Sequence, residues 1–400
     1  MIHLHLVSNT FPPTDGGMEQ SLQKIAYVLS LIEDFKVHVY IRNGIENGDV
    51  KNDFISYRNL SGLRKNLLEP YEDLGQDYQS CKYKDREIAR IEFLTLKNEI
   101  KKVQLKYKNE KHVIISFYIS SSGFFSQHVS MALDIPHIAS VRGCDFSKDF
   151  RALHNIESVN FVLKYANHII TTNDTQKNIL GKVCPCEKIT TIYNSAEKEF
   201  LEKKWTKKEK YNVEIFSDNG LKCVKGSHIL LKSFDSLISN GYSVVLKVFG
   251  KIEDVNKSYW ENKCKQLREK HPHSFFYGGI ISEEQILENL MDSDIYCSPT
   301  FGEGCSNSRV KALSIGIPIV STLCGEILDF QSSYDTESVK LTQPAEIESF
   351  TEALEEMILK IRNNNIKRDD NRYYELVNRM FSPECEGSRW EQVIRDVLVD

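Results

Sequence analysis

Apolar and polar positions alternate along this chain in two distinct periods, and the switch between them marks out its elements. Residues 2–9, "IHLHLVSN", predict a buried first strand, and "FPPTDGG" (11–17) a tight loop. Leu22, Ile25, Ala26 and Leu29 then recur on one face of a helix, and "FKVHVYIR" (35–42) returns to strand pattern. A strand, glycine-bearing loop, helix and strand in that order argue for a parallel sheet. Residues 44–86 are polar and irregular. Leu96, Ile100, Val103 and Tyr107 follow at four, three and four inside a lysine-rich segment, the spacing of a surface helix that packs onto the sheet or rests on a membrane surface. The first of these is the plainer reading.

"HVIISFY" (112–118), "PHIASVRG" (136–143), "NHIITTN" (167–173) and "ITTIYN" (189–194) read as further buried strands. "LEKKWTKKEK" (201–210), with five lysines, reads as a linker. Beyond it the alternation restarts: "YNVEIFSDNG", a helix carrying Ile229, Leu230 and Phe234, then "YSVVLKVFG" (242–250) and "SFFYGG" (274–279). A helix at 282–291, "DIYCSPT" (294–300), a helix from about 307 and "IPIVST" (317–322) complete the second series. Ser382 followed by Pro383 is a helix start, and Trp390, Val393, Ile394, Val397 and Leu398 give that last helix an apolar face that must dock. Two α/β series predict two doubly wound domains, the usual outcome for 400 residues.

Composition narrows the function classes. Apolar content of 41% and aromatic content of 10% are globular values. A formal charge of −5, from 51 basic and 56 acidic residues, leaves no bulk attraction for nucleic acid. Ten scattered cysteines read as reduced thiols, and Cys184 and Cys186 in "CPC" lack the spacing of a zinc knuckle. "MIHLHLVSNTF" has neither the basic start nor the cleavage site of a signal peptide. The longest uncharged stretch, 113–133, carries six serines, a glycine and a histidine, which suits a strand, loop and helix better than a membrane span. The protein is expected in the cytoplasm, at most peripheral at the inner face of a membrane.

Open α/β sheets bind ligands beyond the carboxyl ends of their strands. Gly16 and Gly17 precede a helix and allow close backbone approach to an anion, although turns use glycine in any case. Lys222 and Lys225 in "GLKCVKGSHILL" sit between a strand and a helix start, against the helix dipole, which favours a phosphate role over a solvated turn. Glu303 lies between "DIYCSPT" and a helix capped near Ser306 or Asn307. It either complements the helix dipole or accepts hydrogen bonds from a polyol. "DSD" (292–294) could hold a divalent metal, but at a helix–strand junction it reads as structural.

The order of these features resembles a GT-B glycosyltransferase of the retaining family 4 (group 1) type. In the first half the resemblance rests on "FPPTDGGMEQSLQKIAYVLS", "SVRGCDF", "HIITTNDTQKNIL" and "ITTIYNS". In the second it rests on "KGSHILLKSF", "LKVFGK", "FFYGGIISEEQILENLMDSDIYCSPTFGEG" and "ALSIGIPIVST". It implies two Rossmann-like domains facing a central cleft: an acceptor-side domain over 1–200, a donor domain over 201–380, and a helix over 381–400 crossing back to the first. Lys225 and Lys222 would neutralise the diphosphate of a nucleotide-sugar, faced by Gly16 and Gly17. Glu303 and the backbone of Gly304, Cys305, Ser306 and Asn307 would hold the sugar, and Gly279 and Ile280 would lie near the base. Arg142 and Asp145 would face the transferred sugar or the acceptor.

The implied reaction moves a hexose, with retention, from a UDP- or GDP-linked donor to a carbohydrate or lipid-linked acceptor, with no metal and no cofactor. Developing charge on the leaving diphosphate would be met by lysines and a helix N-terminus.

Three positions depart from the family pattern. Lys311 stands where a second glutamate is usual, and a lysine has no lone pair to offer a diol. Gly220 stands where an arginine is usual, and "YNS" (193–195) replaces Asn-Gly. A donor held differently near Lys311 is the first reading. A sugar-nucleotide-binding protein with lost or different activity, such as an epimerase or an inactive partner subunit, is the alternative. No G-x-G-x-x-G follows the first strand, which argues against a dinucleotide enzyme.

Overall fold

The structure is a computed structural model that describes residues 1–10, 17–42, 55–60, 82–143, 146, 150, 152, 155–206, 211–331, 337–363, 366 and 377–399. It comprises two compact units, Met1–Ile192 together with Glu386–Asp400, and Tyr193–Cys385.

In the first unit strands and helices alternate, with β1, α1 and β2 where the periodicity predicts them. They run β1 (Ile2–Ser8), α1 (Gly17–Ser30), β2 (Phe35–Ile41), β3 (Ile55–Asn59), α2 (Lys82–Lys106), β4 (Lys111–Phe117), α3 (Ser122–Leu133) and β5 (His137–Ser140). After these come α4 (Ile156–Tyr165), β6 (His168–Thr171), α5 (Asp174–Leu180) and β7 (Ile189–Thr191). The strands form a parallel sheet in the order β3-β2-β1-β4-β5-β6-β7, so the order reverses between β1 and β4. β3 falls inside the stretch read as irregular. It is a five-residue strand that, among the described residues, lies at the sheet edge beside β2, too short to set up a period.

The two faces of β1 differ. Leu4 and Leu6 pack with Leu22, Ile25 and Leu29 of α1 and with Trp390 and Ile394. The opposite face carries His3 and His5, fully buried beside His38 of β2 and His112 of β4. The lysine-rich helix α2 buries Leu96 and Ile100, so it packs onto its unit as the plainer reading has it.

The second unit runs α6 (Lys198–Leu201), β8 (Val213–Ser217), α7 (Ser227–Ser239), β9 (Val244–Val248), α8 (Lys257–Lys270), β10 (Phe275–Tyr277), α9 (Glu283–Asp292) and β11 (Ile295–Ser298). It continues through α10 (Asn307–Ile315), β12 (Ile319–Thr322), β13 (Val339–Thr342) and α11 (Ile347–Arg362). Its parallel sheet has the order β10-β9-β8-β11-β12-β13 and reverses between β8 and β11. Trp205, in the segment read as a linker, is buried in this unit, with its indole donating to the Ser293 carbonyl at 2.7 Å. The helix α12 (Pro383–Val397) is capped by Ser382, whose hydroxyl accepts from the Cys385 amide at 3.1 Å. It then lays Trp390, Val393 and Ile394 into the first unit's core.

Candidate active site

Strand order selects the place. The switch point of the second sheet lies between β8 and β11, and the loops beyond their carboxyl ends carry the residues singled out above. After β8 the chain makes a 3-10 turn over Cys223–Lys225 and enters α7 through Gly226. Gly226 sits at φ +65° with the Pro299 carbonyl 1.8 Å from where a Cβ would stand, so no side chain fits. That close approach presses the turn against the loop after β11. The Phe301 amide and the Thr300 hydroxyl both donate to the Val224 carbonyl, at 3.0 and 3.2 Å.

Across this junction the Lys225 ammonium pairs with Oε1 of Glu303, both side chains largely buried. Burial by itself would raise the Glu303 carboxyl. The Lys225 and Arg309 charges and a hydrogen bond from Thr300 outweigh it and hold the group below the ordinary glutamate value. Lys222 lies at the same turn. Its pKa is lowered by burial and by the ammonium groups of Lys225 and Lys251, against the pull of Glu303 and Glu253. This is a site with clustered cations, beside a helix whose N-cap glycine offers no capping side chain.

Glu303 opens the loop into α10. Ser306 is the N-cap, its hydroxyl accepting from the Arg309 amide at 3.4 Å. Asn194 donates to the Cys305 carbonyl at 2.8 Å and to the Asn307 side chain at 2.9 Å. Gly304 and Ser306 are buried, while Cys305 and Asn307 are half-buried. Gly279 and Ile280 follow β10, where the Gly279 carbonyl accepts from Gly250 at 2.7 Å and Ile280 is exposed.

Lys311 lies in α10 with only 3% of its side chain exposed. Its ammonium pairs with Glu283 at the start of α9, lies 3.6 Å from Glu197, and sits over the Phe200 ring at 5.3 Å. Burial would lower its pKa, but Glu197, Glu283 and Asp218 together raise it above the ordinary lysine value. Gly220, where an arginine is usual, has φ +69° and the Lys251 carbonyl 2.2 Å from any added Cβ. This backbone admits no side chain there.

Two residues escaped sequence reading. Arg309 and Glu326, both fully buried, form a two-point ion pair with Nε–Oε1 and Nη2–Oε2 each 2.7 Å. Nothing in "SNSRVKAL" marks that arginine as buried.

Asp294 of "DSD" accepts from the Glu214 amide at 2.8 Å, which is a structural task. Among the described residues no group of three His, Cys, Asp or Glu side chains is placed to hold a metal. The remaining candidates belong to the first unit. Gly17 is the first residue of α1, and Arg142, just past β5, is buried with its guanidinium 5.6 Å from the Phe117 ring centroid. Gly16 and Asp145 lie outside the described residues.

Residues 219–360, which hold both lysines, Glu303 and the loop to Asn307, match the family described as "Glycosyl transferases group 1". This part of the chain is a group 1 glycosyltransferase domain, and the protein is a glycosyltransferase. This glycosyltransferase is 24% identical over 343 residues to the capsular polysaccharide biosynthesis glycosyltransferase CapM of Staphylococcus aureus, covering 78% of this chain and 87% of CapM. Its fold is that of sucrose-phosphate synthase from Thermosynechococcus elongatus, with TM-score 0.74, 13% identity and 100% of each chain covered. It is also that of Anabaena HepE in complex with UDP, with TM-score 0.70, 15% identity, and 99% of this chain and 100% of HepE covered. The architecture is GT-B. No helix among the described residues is long and apolar enough to cross a membrane.

Proposed function

We propose that this glycosyltransferase transfers a hexose, with retention of anomeric configuration, from a nucleoside-diphosphate sugar to a glycan or lipid-linked acceptor. The observation that carries the reading is the pairing of Lys225 with Glu303 at the β8/β11 switch point, with Lys222 at the same turn. A diphosphate entering there would displace the ammonium from the carboxylate, leaving Lys225 on the phosphates and Glu303 on the sugar hydroxyls. Lys225 and Lys222, with the start of α7, would stabilise charge on the leaving diphosphate. The reaction then needs no metal ion and no cofactor beyond its nucleotide-sugar.

The complexes of Anabaena HepE with UDP and with UDP-glucose support a UDP-linked donor, and a GDP-linked one is the next choice. The likeness to CapM supports a glycan acceptor. On the first unit, Gly16 and Gly17 would face the phosphates, and Arg142 and Asp145 the transferred sugar or acceptor. A lipid-linked acceptor would bring the protein to the inner face of a membrane as a peripheral protein.

A thermal-shift screen of UDP, GDP, ADP, dTDP and CMP and their sugars, with and without EDTA, tests the donor. A selective rise that EDTA leaves unchanged is expected, because a ligand that binds only the folded state stabilises it by mass action. No shift with any of them would sink the reading. Glu303→Ala should abolish transfer while the melting point stays within a few degrees, and near-normal turnover would refute its role. Selective binding without turnover would favour the sugar-nucleotide-binding alternative, for which Lys311 and Gly220 are the motivating departures.

A further inference from the structure

The Arg309–Glu326 pair encloses the loop that carries Glu303. Arg309 spends its remaining donors on β12 and the turn after it: Nη1 reaches Ser321 Oγ at 3.1 Å and Nη2 the Cys324 carbonyl at 2.8 Å. Glu326 spends its second oxygen on the loop itself, accepting from the Ser306 amide at 3.1 Å. Between them, Gly325 lies against the loop so closely that an added Cβ would stand 3.0 Å from Glu303 Cβ and 2.8 Å from the Gly304 carbonyl. The loop from Glu303 to Ser306 is therefore held on its inner side by a turn whose shape the guanidinium dictates.

Stability alone is a poor reason for such a pair, since two desolvated charges are often no better than well-packed apolar side chains of the same volume. What the pair adds is geometry, because the planar guanidinium meets a carboxylate at two points and fixes its orientation.

We propose that Arg309 is a positioning residue for Glu303. Locked to Glu326, it holds the Glu303–Ser306 backbone in the form that keeps the carboxylate against Lys225, and it backs that carboxylate with a second positive charge. The proposal rests on the reading of Glu303 as a group that meets the donor. Among the described residues, the charged and titratable groups around Glu303 are Lys225 and Lys222 from the turn after β8, Arg309 from α10, and Cys324 and Glu326 from the turn after β12. Arg309 therefore acts through Glu303 and its backbone, with no contact to substrate required of it.

The test compares Arg309→Lys with the apolar double variant Arg309→Met/Glu326→Leu, each checked by its melting curve. The Glu303 carboxyl is titrated by NMR in protein labelled with carbon-13 at the glutamate carboxyls, its signal assigned by its absence in Glu303→Gln. Donor turnover is followed as UDP released from UDP-glucose against pH. In the double variant the Glu303 midpoint should move up, the acid limb of turnover should move with it, and kcat should fall at least about tenfold with KM within about twofold. Arg309→Lys should keep the midpoint low, because its charge remains, yet lose kcat, because the two-point contact is gone.

A purely structural pair would change only the melting curve. Folded variants with an unchanged Glu303 midpoint and unchanged kcat overturn the proposal. Absence of UDP release by the unaltered protein would count against the UDP-glucose donor reading, while the titration would still decide the positioning role.

Discussion

Lys311 occupies the position where the family pattern has a second glutamate, and its surroundings explain how an ammonium persists there. Glu283, Glu197 and Asp218 surround it with negative charge, and the Phe200 ring covers one side. Its charge is thus matched within the protein. Lys311→Glu would remove the buried cation and place a fourth carboxylate among three, at a cost of about 3–5 kcal/mol. Urea unfolding should show that loss, and a variant of normal stability would mean the carboxylates find other partners. At this scale the sequence was partly legible. Lys225 and Glu303 stood out because glycines and a helix start flank them. Their pairing did not, because 78 residues separate them. The Arg309–Glu326 pair gave no signal, since an arginine in a helix is ordinarily a surface residue and only burial reveals its task.

At the scale of elements, two features carry testable consequences. The turn from β8 to α7 depends on Gly226, so Gly226→Ala must either open the contact with Pro299 or strain the backbone. It should lower stability by more than about 1 kcal/mol and weaken nucleotide binding together, as calorimetry with UDP would show. Unchanged affinity would separate the turn from the phosphate site.

The second feature is the histidine ladder of the first sheet. His3 joins His38 at 2.9 Å and Glu110 at 2.7 Å, while His5 joins His112 at 3.1 Å and the Tyr40 hydroxyl at 3.0 Å. Burial lowers the pKa of all four, and His38, faced also by Lys36, Arg58 and the other histidines, falls to about 3 from 6.5. The unfolded chain binds these protons first, so stability present above pH 6.5 is lost as pH falls towards 3. His38 alone accounts for a few kcal/mol, on the order of 1.4 for each pH unit of its displacement. Trp390, the tryptophan of the first unit, should report unfolding at progressively lower urea between pH 7 and 4.5, and a flat midpoint over that range would refute the sign. Periodicity predicted most strands and about half of the helices, while β3, β13, α4, α5, α6, α8 and α11 have no counterpart in the sequence reading. In α11, Phe350, Leu354, Met357, Ile358 and Ile361 are buried at helical spacing, a signal the sequence does carry. β13 has four residues and, among the described residues, pairs with β12 at the sheet edge, which leaves little pattern to find.

For the molecule as a whole, the chain's last helix completes its first unit. Trp390 is 1% exposed and packs near Phe117, with Val393 and Ile394 beside it. Arg395 adds a two-point contact to Asp34 at 2.8 and 2.9 Å, on a surface where it contributes little. Trp390→Ala should cost about 3–5 kcal/mol through the cavity it leaves, seen as a lower melting transition, and a loss below about 1 kcal/mol would mean the helix is dispensable. That the helix must dock was legible in its apolar face. Which surface it covers was a matter of the family resemblance, because an apolar stripe does not name its partner.

By itself the sequence determined the alternation of strands and helices, the two-series architecture and the loops that carry candidate chemistry. Those follow from local periods, turn residues and caps, which act over a few positions. The tertiary structure decided which side chains meet. Strand order brings the ends of β8 and β11 together, a close glycine contact presses their loops into register, and burial turns distant charges into pairs. None of these can be read from spacing along the chain, because each depends on how far apart in sequence two neighbours in space happen to be.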